Sequence, residues 1–271
     1  MAQIIKIEDI NAPELSVYAS LTEAQLKRDC GLFIAESVKV IDVALDCGLE
    51  PISFLMEERQ IDGIGKEIIE RCPNIPVYTA ERNVLSALTG FELTRGVLCA
   101  MRRPEIRSID EVLNGAKRVA VLERLSDSVN VGAIIRSAAA LGIDAVLLFH
   151  NCSEPLNRRT VRVSMGSVFL VPWAFFDKNA CPLPSDAVKY LQQKGFKTAA
   201  LALRENTLNI NDAELKSADK LALFLGAEGD GLSDGTIDAC DYTVKIPMHH
   251  NVDSLNVSNA AAVAFWELSG K

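Results

Sequence analysis

Ser254, Asn256 and Ser258 alternate hydroxyl, amide and hydroxyl where a polar loop turns into a helix. Pro247 cannot donate to a sheet ladder, so a strand ends before it. His249 to Ser254 contains no apolar run, and Leu255, Ala260, Val263, Phe265 and Trp266 then recur at helical spacing. The first turn of a helix leaves backbone N–H groups free. Short polar side chains beside it can cap those groups, or orient a polar ligand together with them. The spacing alone permits both readings.

Two further stretches hold residues of chemical interest. In Asn130-Val-Gly-Ala-Ile-Ile-Arg136, Asn130 can cap a helix and Gly132 allows close backbone approach. Arg136 follows nearly two turns later, as a surface arginine or as an anion-binding group. In Gly226-Ala-Glu-Gly-Asp-Gly-Leu232, three glycines after a strand make either a tight turn or a crevice walled by backbone. This stretch is not the dinucleotide fingerprint, which needs the first strand, a following helix and a distal acid. A doubly wound nucleotide-dependent oxidoreductase is therefore disfavoured.

The elements that must position these residues alternate between strand and helix. Apolar runs predict strands at Gly31–Glu36, Ile52–Met56, Pro76–Thr79 and Val97–Met101, with helices between them. Ser37 is placed to cap a helix that Gly48 stops. Residues 102–117 are charged, contain Pro104 and Asn114-Gly115, and read as a linker with one helical turn. Beyond it, strands are expected at Arg118–Leu122, Ala145–Phe149, Phe169–Val171, Thr198–Leu203, Leu221–Leu225 and Tyr242–Ile246. Helices are expected from about Gly132 to Leu141, from Val161 to Val168, from Ser185 to Lys194, and at the C-terminus. Near-continuous apolar strands alternating with helices imply a parallel sheet covered on both faces. The expected division is 1–101, a linker at 102–117, and 118–271.

Composition sets further bounds. Of 271 residues, 49% are hydrophobic, which supports a sizeable core. No run of 18 apolar residues occurs, so no membrane span is expected, and the N-terminus lacks a signal-peptide layout. Seven cysteines without a Cys-x-x-Cys pair suggest reduced thiols in a cytoplasm. No metal-ligand spacing is present; adjacent His249 and His250 make a poor chelate. A net charge of −8 argues against bulk phosphate attraction. Two local basic clusters remain: Arg102, Arg103, Arg107 and Arg158, Arg159, Arg162.

Taken together, the three stretches resemble the ordered motifs of the SpoU (TrmH-type) RNA ribose 2′-O-methyltransferases, of the SPOUT class. Asn130, Gly132 and Arg136 match the first motif. Gly226, Glu228, Gly229, Gly231 and Leu232 match the second. Ile246, Pro247 and Met248, followed by Ser254, Leu255, Asn256, Val257 and Ser258, match the third. Val161-Arg-Val-Ser-Met-Gly-Ser167 resembles another family segment. Phe33-Ile-Ala-Glu36-Ser37 resembles the Phe-x-x-Glu-Gly of the family's N-terminal substrate-binding domain. The chain departs from the family at Ser37 and His250, where glycine is usual, and at Asn259, where an aliphatic residue is usual.

The resemblance implies an α/β fold whose C-terminal parallel sheet carries a deep trefoil-type knot, preceded by a small α/β domain with a ribosomal-protein-like fold. It implies S-adenosylmethionine as cofactor, bound around Gly226, Ala227, Gly231, Ile246, Met248 and Leu255. It implies methyl transfer to an RNA ribose 2′-hydroxyl, with Asn130, Arg136, Glu228, Ser254 and Asn256 as catalytic residues. Arg158, Arg159, Arg162 and Ser164 become candidate RNA contacts. Ribosomal RNA is the expected substrate, because such an N-terminal domain is more usual there than with transfer RNA. A homodimer through the C-terminal domain is implied as well. A non-catalytic RNA-binding module of the same fold is the rival, and it predicts a damaged motif.

Overall fold

The structure is a computed structural model describing residues 2–19, 22–90, 92, 96–204, 207–227, 229–250 and 252–269. The chain divides into two compact units, Met1–Glu105 with Leu156–Phe169, and Ile106–Pro155 with Leu170–Lys271.

The first unit is built on five strands: β1 (Gln3–Lys6), β2 (Leu32–Glu36), β3 (Pro51–Glu57), β4 (Pro76–Ala80) and β5 (Val97–Arg102). Their order is β1-β4-β3-β5-β2. β1, β4 and β3 run parallel, whereas β5 is antiparallel to both β3 and β2. Leu15, Leu26, Ile34, Leu55, Leu85 and Leu98 pack in its core, each buried side chain of this kind contributing about 1.5–3 kcal/mol. β1 is a largely exposed edge strand of four residues, too short to show an alternating pattern in sequence. Ser37 caps the Val38–Asp46 helix, and its hydroxyl accepts from Val40 N.

The Leu156–Phe169 segment departs from expectation. Its helix is Arg158–Val163, capped by Asn157, whose side chain accepts from Arg159 N at 2.9 Å. Met165 (φ 53°) and Gly166 (φ 83°) break it. Ser167–Phe169 is a 3-10 turn rather than the start of a strand. The strand follows Pro172 instead of ending there. Proline is tolerated at a strand entry because its carbonyl still serves the ladder, and here that carbonyl accepts from Val146 N at 3.0 Å.

The second unit contains β6 (Arg118–Leu122), β7 (Ala145–Leu148), β8 (Trp173–Phe175), β9 (Lys197–Leu201), β10 (Leu208–Asn209), β11 (Leu221–Leu225) and β12 (Tyr242–Lys245). They form a seven-stranded sheet in the order β10-β12-β9-β11-β6-β7-β8, with every pairing parallel. Val121, Leu147, Phe149, Leu191 and Phe224 lie in its core. The Ser128–Leu141 and Val257–Leu268 helices pack against each other. The former begins four residues before the expected Gly132, because Asp127 caps it by accepting from Val129 N at 2.9 Å. Asn130 therefore lies inside the helix and is not its cap. Gly142, in the left-handed region, ends it. No helix among the described residues is long and apolar enough to cross a membrane.

Candidate cofactor cleft

β12, β9 and β11 are neighbours in the sheet, so the loops leaving their C-terminal ends converge. Ligands of open α/β sheets bind at that edge. Here a cleft of about 840 Å³ opens between Leu201–Arg204, the Gly226–Leu232 loop, and the chain from Ile246 into the last helix. That size suits a nucleoside-sized ligand.

The glycine-rich loop owes its shape to close backbone approach. A Cβ on Gly226 would stand 2.3 Å from both Gly231 C and Leu232 N, so no other residue fits. Gly231 N donates to Ala227 O at 3.0 Å and closes the loop on itself. On the opposite wall, the last helix begins with Asn256 as its cap. Asn256 Oδ1 accepts from Ser258 N at 2.9 Å, and Asn256 Nδ2 donates to Asn130 Oδ1 at 3.1 Å. Capping and site-building thus coincide in one side chain.

Gly226, Ala227, Gly231, Ile246, Met248 and Leu255, all expected to hold the cofactor, line this cleft, as do Ser254 and Asn256. The donor set suits S-adenosylmethionine: apolar side chains can wall a flat adenine while backbone amides and short polar groups face its ribose and amino-acid end. The first motif enters differently. Asn130 is buried and reaches the cleft wall through Asn256. Arg136, six residues on, is rotated by roughly 120° about the helix relative to Asn130; it is exposed and does not line the cleft. Glu228 lies outside the described residues.

The expected RNA contacts are dispersed. Arg158 and Arg162 face Glu36, which is only 3% exposed. Arg158 Nη2 donates to its Oε2 at 2.9 Å, and Arg162 Nη1 does so at 3.5 Å. Arg159 is exposed. Ser164 is fully buried and donates to Val161 O at 3.0 Å, so its hydroxyl is satisfied inside the protein and does not face solvent.

Both departures at usual glycines fall on left-handed backbone, Ser37 at φ 89° and His250 at φ 57°. Sequence reasoning did not single out Arg204, Asp230, Asp234 or Asp253 as lining residues. Arg204 and Asp234 form an ion pair there. No periodicity or motif marks an acid in a polar loop as pocket-facing; only the convergence of the strand ends does so.

A family model described as the SpoU rRNA Methylase family matches residues 117–266. The chain is 36% identical over 264 residues to an uncharacterized tRNA/rRNA methyltransferase of Mycobacterium bovis, covering 96% of this chain and 89% of that one. It is 30% identical over 231 residues to the 23S rRNA (guanosine(2553)-2′-O)-methyltransferase RlmP of Bacillus subtilis, covering 82% and 88%. In architecture it is similar to a crystallised RNA 2′-O ribose methyltransferase, with a TM-score of 0.81 at 25% identity over 98% of each chain. It is equally similar to an AdoMet-bound rRNA methyltransferase from Sinorhizobium meliloti, with a TM-score of 0.81 at 23% identity over 98% of each chain. The latter shows the fold alone, and the seven-stranded parallel sheet agrees with the knotted architecture expected.

Proposed function

The chain belongs to the SpoU rRNA Methylase family, and we propose that it transfers a methyl group from S-adenosylmethionine to a ribose 2′-hydroxyl of RNA, with ribosomal RNA as the substrate. The observation that carries this reading is the meeting of the second and third motifs in one cleft, with Asn256 tied to Asn130 of the first. The Bacillus subtilis relative supports it by its name, a 23S rRNA 2′-O-methyltransferase; the Mycobacterium bovis relative, named a tRNA/rRNA methyltransferase, supports RNA methylation.

S-adenosylmethionine would supply an electrophilic methyl group on sulfonium. The chain's own residues have two tasks. They hold the hydroxyl oxygen within about 3–3.5 Å of the carbon it attacks, in line with the leaving sulfur, and they manage the hydroxyl proton and the charge that develops on the oxygen. Ser254 and Asn256 face the cleft where an oxygen can be oriented. A guanidinium keeps its proton, so Arg136 acts as a clamp on the flanking phosphate and on developing alkoxide charge rather than as a base.

Arg136 lies off the cleft of its own chain, and this favours a homodimer in which Arg136 of the partner subunit completes the site. The last helix carries the apolar surface such an assembly needs: Val263 is 41% exposed and Trp266 66%. Residues 1–101, with which Leu156–Phe169 packs, form the RNA-binding region and 102–117 the connection, with the methyltransferase site carried within 118–271. The acidic chain reads RNA shape or unstacked bases more than bulk charge, with exposed Arg159 as the remaining candidate phosphate contact of its cluster. A cytoplasmic setting accords with the unpatterned thiols.

The test is to map 2′-O-methylated nucleotides in total RNA from cells with and without the protein. Loss of a ribosomal RNA site is expected. Loss confined to transfer RNA would redirect the substrate assignment, and no loss anywhere would favour the non-catalytic module.

A further inference from the structure

We propose that Glu123 and Arg124, at the C-terminal tip of β6, are positioning residues that hold the Gly226–Leu232 loop in the shape that receives the cofactor. The inference rests on assigning the cleft to S-adenosylmethionine. Neither residue lines that cleft, so any effect on binding passes through the loop.

Glu123 has no exposed surface. Its backbone N–H donates to Leu225 O at 2.9 Å, which joins the tip of β6 to the end of β11. Its carboxylate reaches past the glycine-rich loop to the residues that follow. Oε1 accepts from Ser233 N at 3.1 Å, and Oε2 accepts from the Thr236 hydroxyl at 2.6 Å. Arg124 takes up a left-handed backbone, φ 59°, a conformation that costs a non-glycine residue on the order of 1–3 kcal/mol and persists where its surroundings over-determine it. Arg124 Nη2 donates to Gly231 O at 3.0 Å. Arg124 Nε is buried with no hydrogen-bond partner and stands 3.6 Å from Glu123 Oε1.

These contacts share one target. Gly231 is the residue whose backbone closes against Gly226, and Ser233 is the first residue after the loop. Arg124 grips the former and Glu123 the latter, so the loop's return limb is held at two points by consecutive residues. A buried carboxylate is costly to desolvate unless it is paired and hydrogen-bonded, and this one spends its acceptors on the segment following the cofactor loop. Packing alone would be served by an apolar residue of similar volume.

The test uses the full chain. Affinity for S-adenosylmethionine is measured by calorimetry, with KM and kcat from labelled-methyl transfer to RNA and melting by circular dichroism. Arg124→Ala is expected to weaken cofactor binding roughly tenfold or more, as loss of a charge-assisted hydrogen bond predicts. KM for S-adenosylmethionine should rise in step, with kcat at saturation within about threefold. Arg124→Lys should restore part of the affinity. Thr236→Val, which removes one donor to Glu123, should shift KM the same way and serves if Arg124→Ala does not fold. Gly226→Ala is the control for the cleft itself. Cofactor affinity within about twofold of wild type in Arg124→Ala and Thr236→Val, with Gly226→Ala defective, overturns the inference and leaves the cleft assignment standing. A fall in kcat and melting temperature with KM unchanged overturns it too, as a merely structural role. If Gly226→Ala also binds normally, the cleft assignment fails and this inference falls with it.

Discussion

Asn256 donates from Nδ2 to Asn130 Oδ1 at 3.1 Å while its own Oδ1 accepts from Ser258 N at 2.9 Å. One amide thus does two separable jobs. Asn256→Asp keeps the cap acceptor and removes the donor to Asn130. Its chemical stability should stay close to wild type while methyl transfer falls at least about tenfold, since positioning losses of this kind are steep. Asn256→Ala should lose the cap as well, at about 1 kcal/mol. Urea denaturation and a labelled-methyl assay separate the two. Equal activity in Asn256→Asp and wild type would remove the Asn130 link from the mechanism.

Arg136→Ala should abolish methyl transfer and leave S-adenosylmethionine affinity within a few-fold, because Arg136 does not line the cleft. Calorimetry alongside the transfer assay checks this. Parallel loss of both activities would mark the residue as structural.

Ser37 sits at φ 89°, ψ 146°, and its hydroxyl meets Val40 N only at 3.5 Å. That region of backbone space is close to glycine-only and costs on the order of 1–3 kcal/mol for other residues, more than so long a cap bond returns. Ser37→Gly should therefore raise the urea midpoint. A lower midpoint would show that the cap outweighs the strain.

Glu36 accepts from Arg158 and Arg162 while nearly inaccessible to water. Removing it takes a buried acceptor from two guanidinium groups, and breaking a buried pair from one side costs about 3–5 kcal/mol; partial exposure of both arginines puts Glu36→Ala toward the lower end. Equilibrium denaturation measures it. A loss under about 1 kcal/mol, the range of surface pairs, would count the pair as solvent-screened.

Burial pushes the Cys152 thiol up to about 11 and the Cys240 thiol up to about 12, from an ordinary 9.0. Below pH 9 both thiols are protonated whether the chain is folded or not. Above it the unfolded chain ionises first, so the folded state loses stability as pH rises from about 9 toward 11–12. Denaturation at pH 8 and pH 10 should show this fall, and replacing both cysteines with alanine should lessen it, with Cys99 keeping a share because burial raises its thiol too. An unchanged slope would assign the alkaline loss to other groups.

The sequence was most legible where burial is complete. Arg118–Leu122 and Leu221–Leu225 are strands from end to end as read, because central parallel strands leave near-continuous apolar runs. The residues that line the cleft were legible because glycines and short polar groups keep their chemistry wherever the chain goes. What escaped depends on distant partners. Glu123 and Arg124 look like an ordinary surface dipeptide until β11 is laid beside β6. The start of the Ser128–Leu141 helix was misread because Asp127, not Asn130, supplies the cap. β10 has two residues and no pattern to read.

The strip Leu156–Phe169 belongs by its packing to the first unit, although some fifty residues of the second precede it. An N-terminal fragment cut within the charged connector would therefore carry Glu36 but leave Arg158 and Arg162 on the other piece. Such a fragment inherits an unneutralised acid and an uncovered flank of β2. A chimera that swaps the first unit between relatives has to transplant two separate pieces of gene, not one.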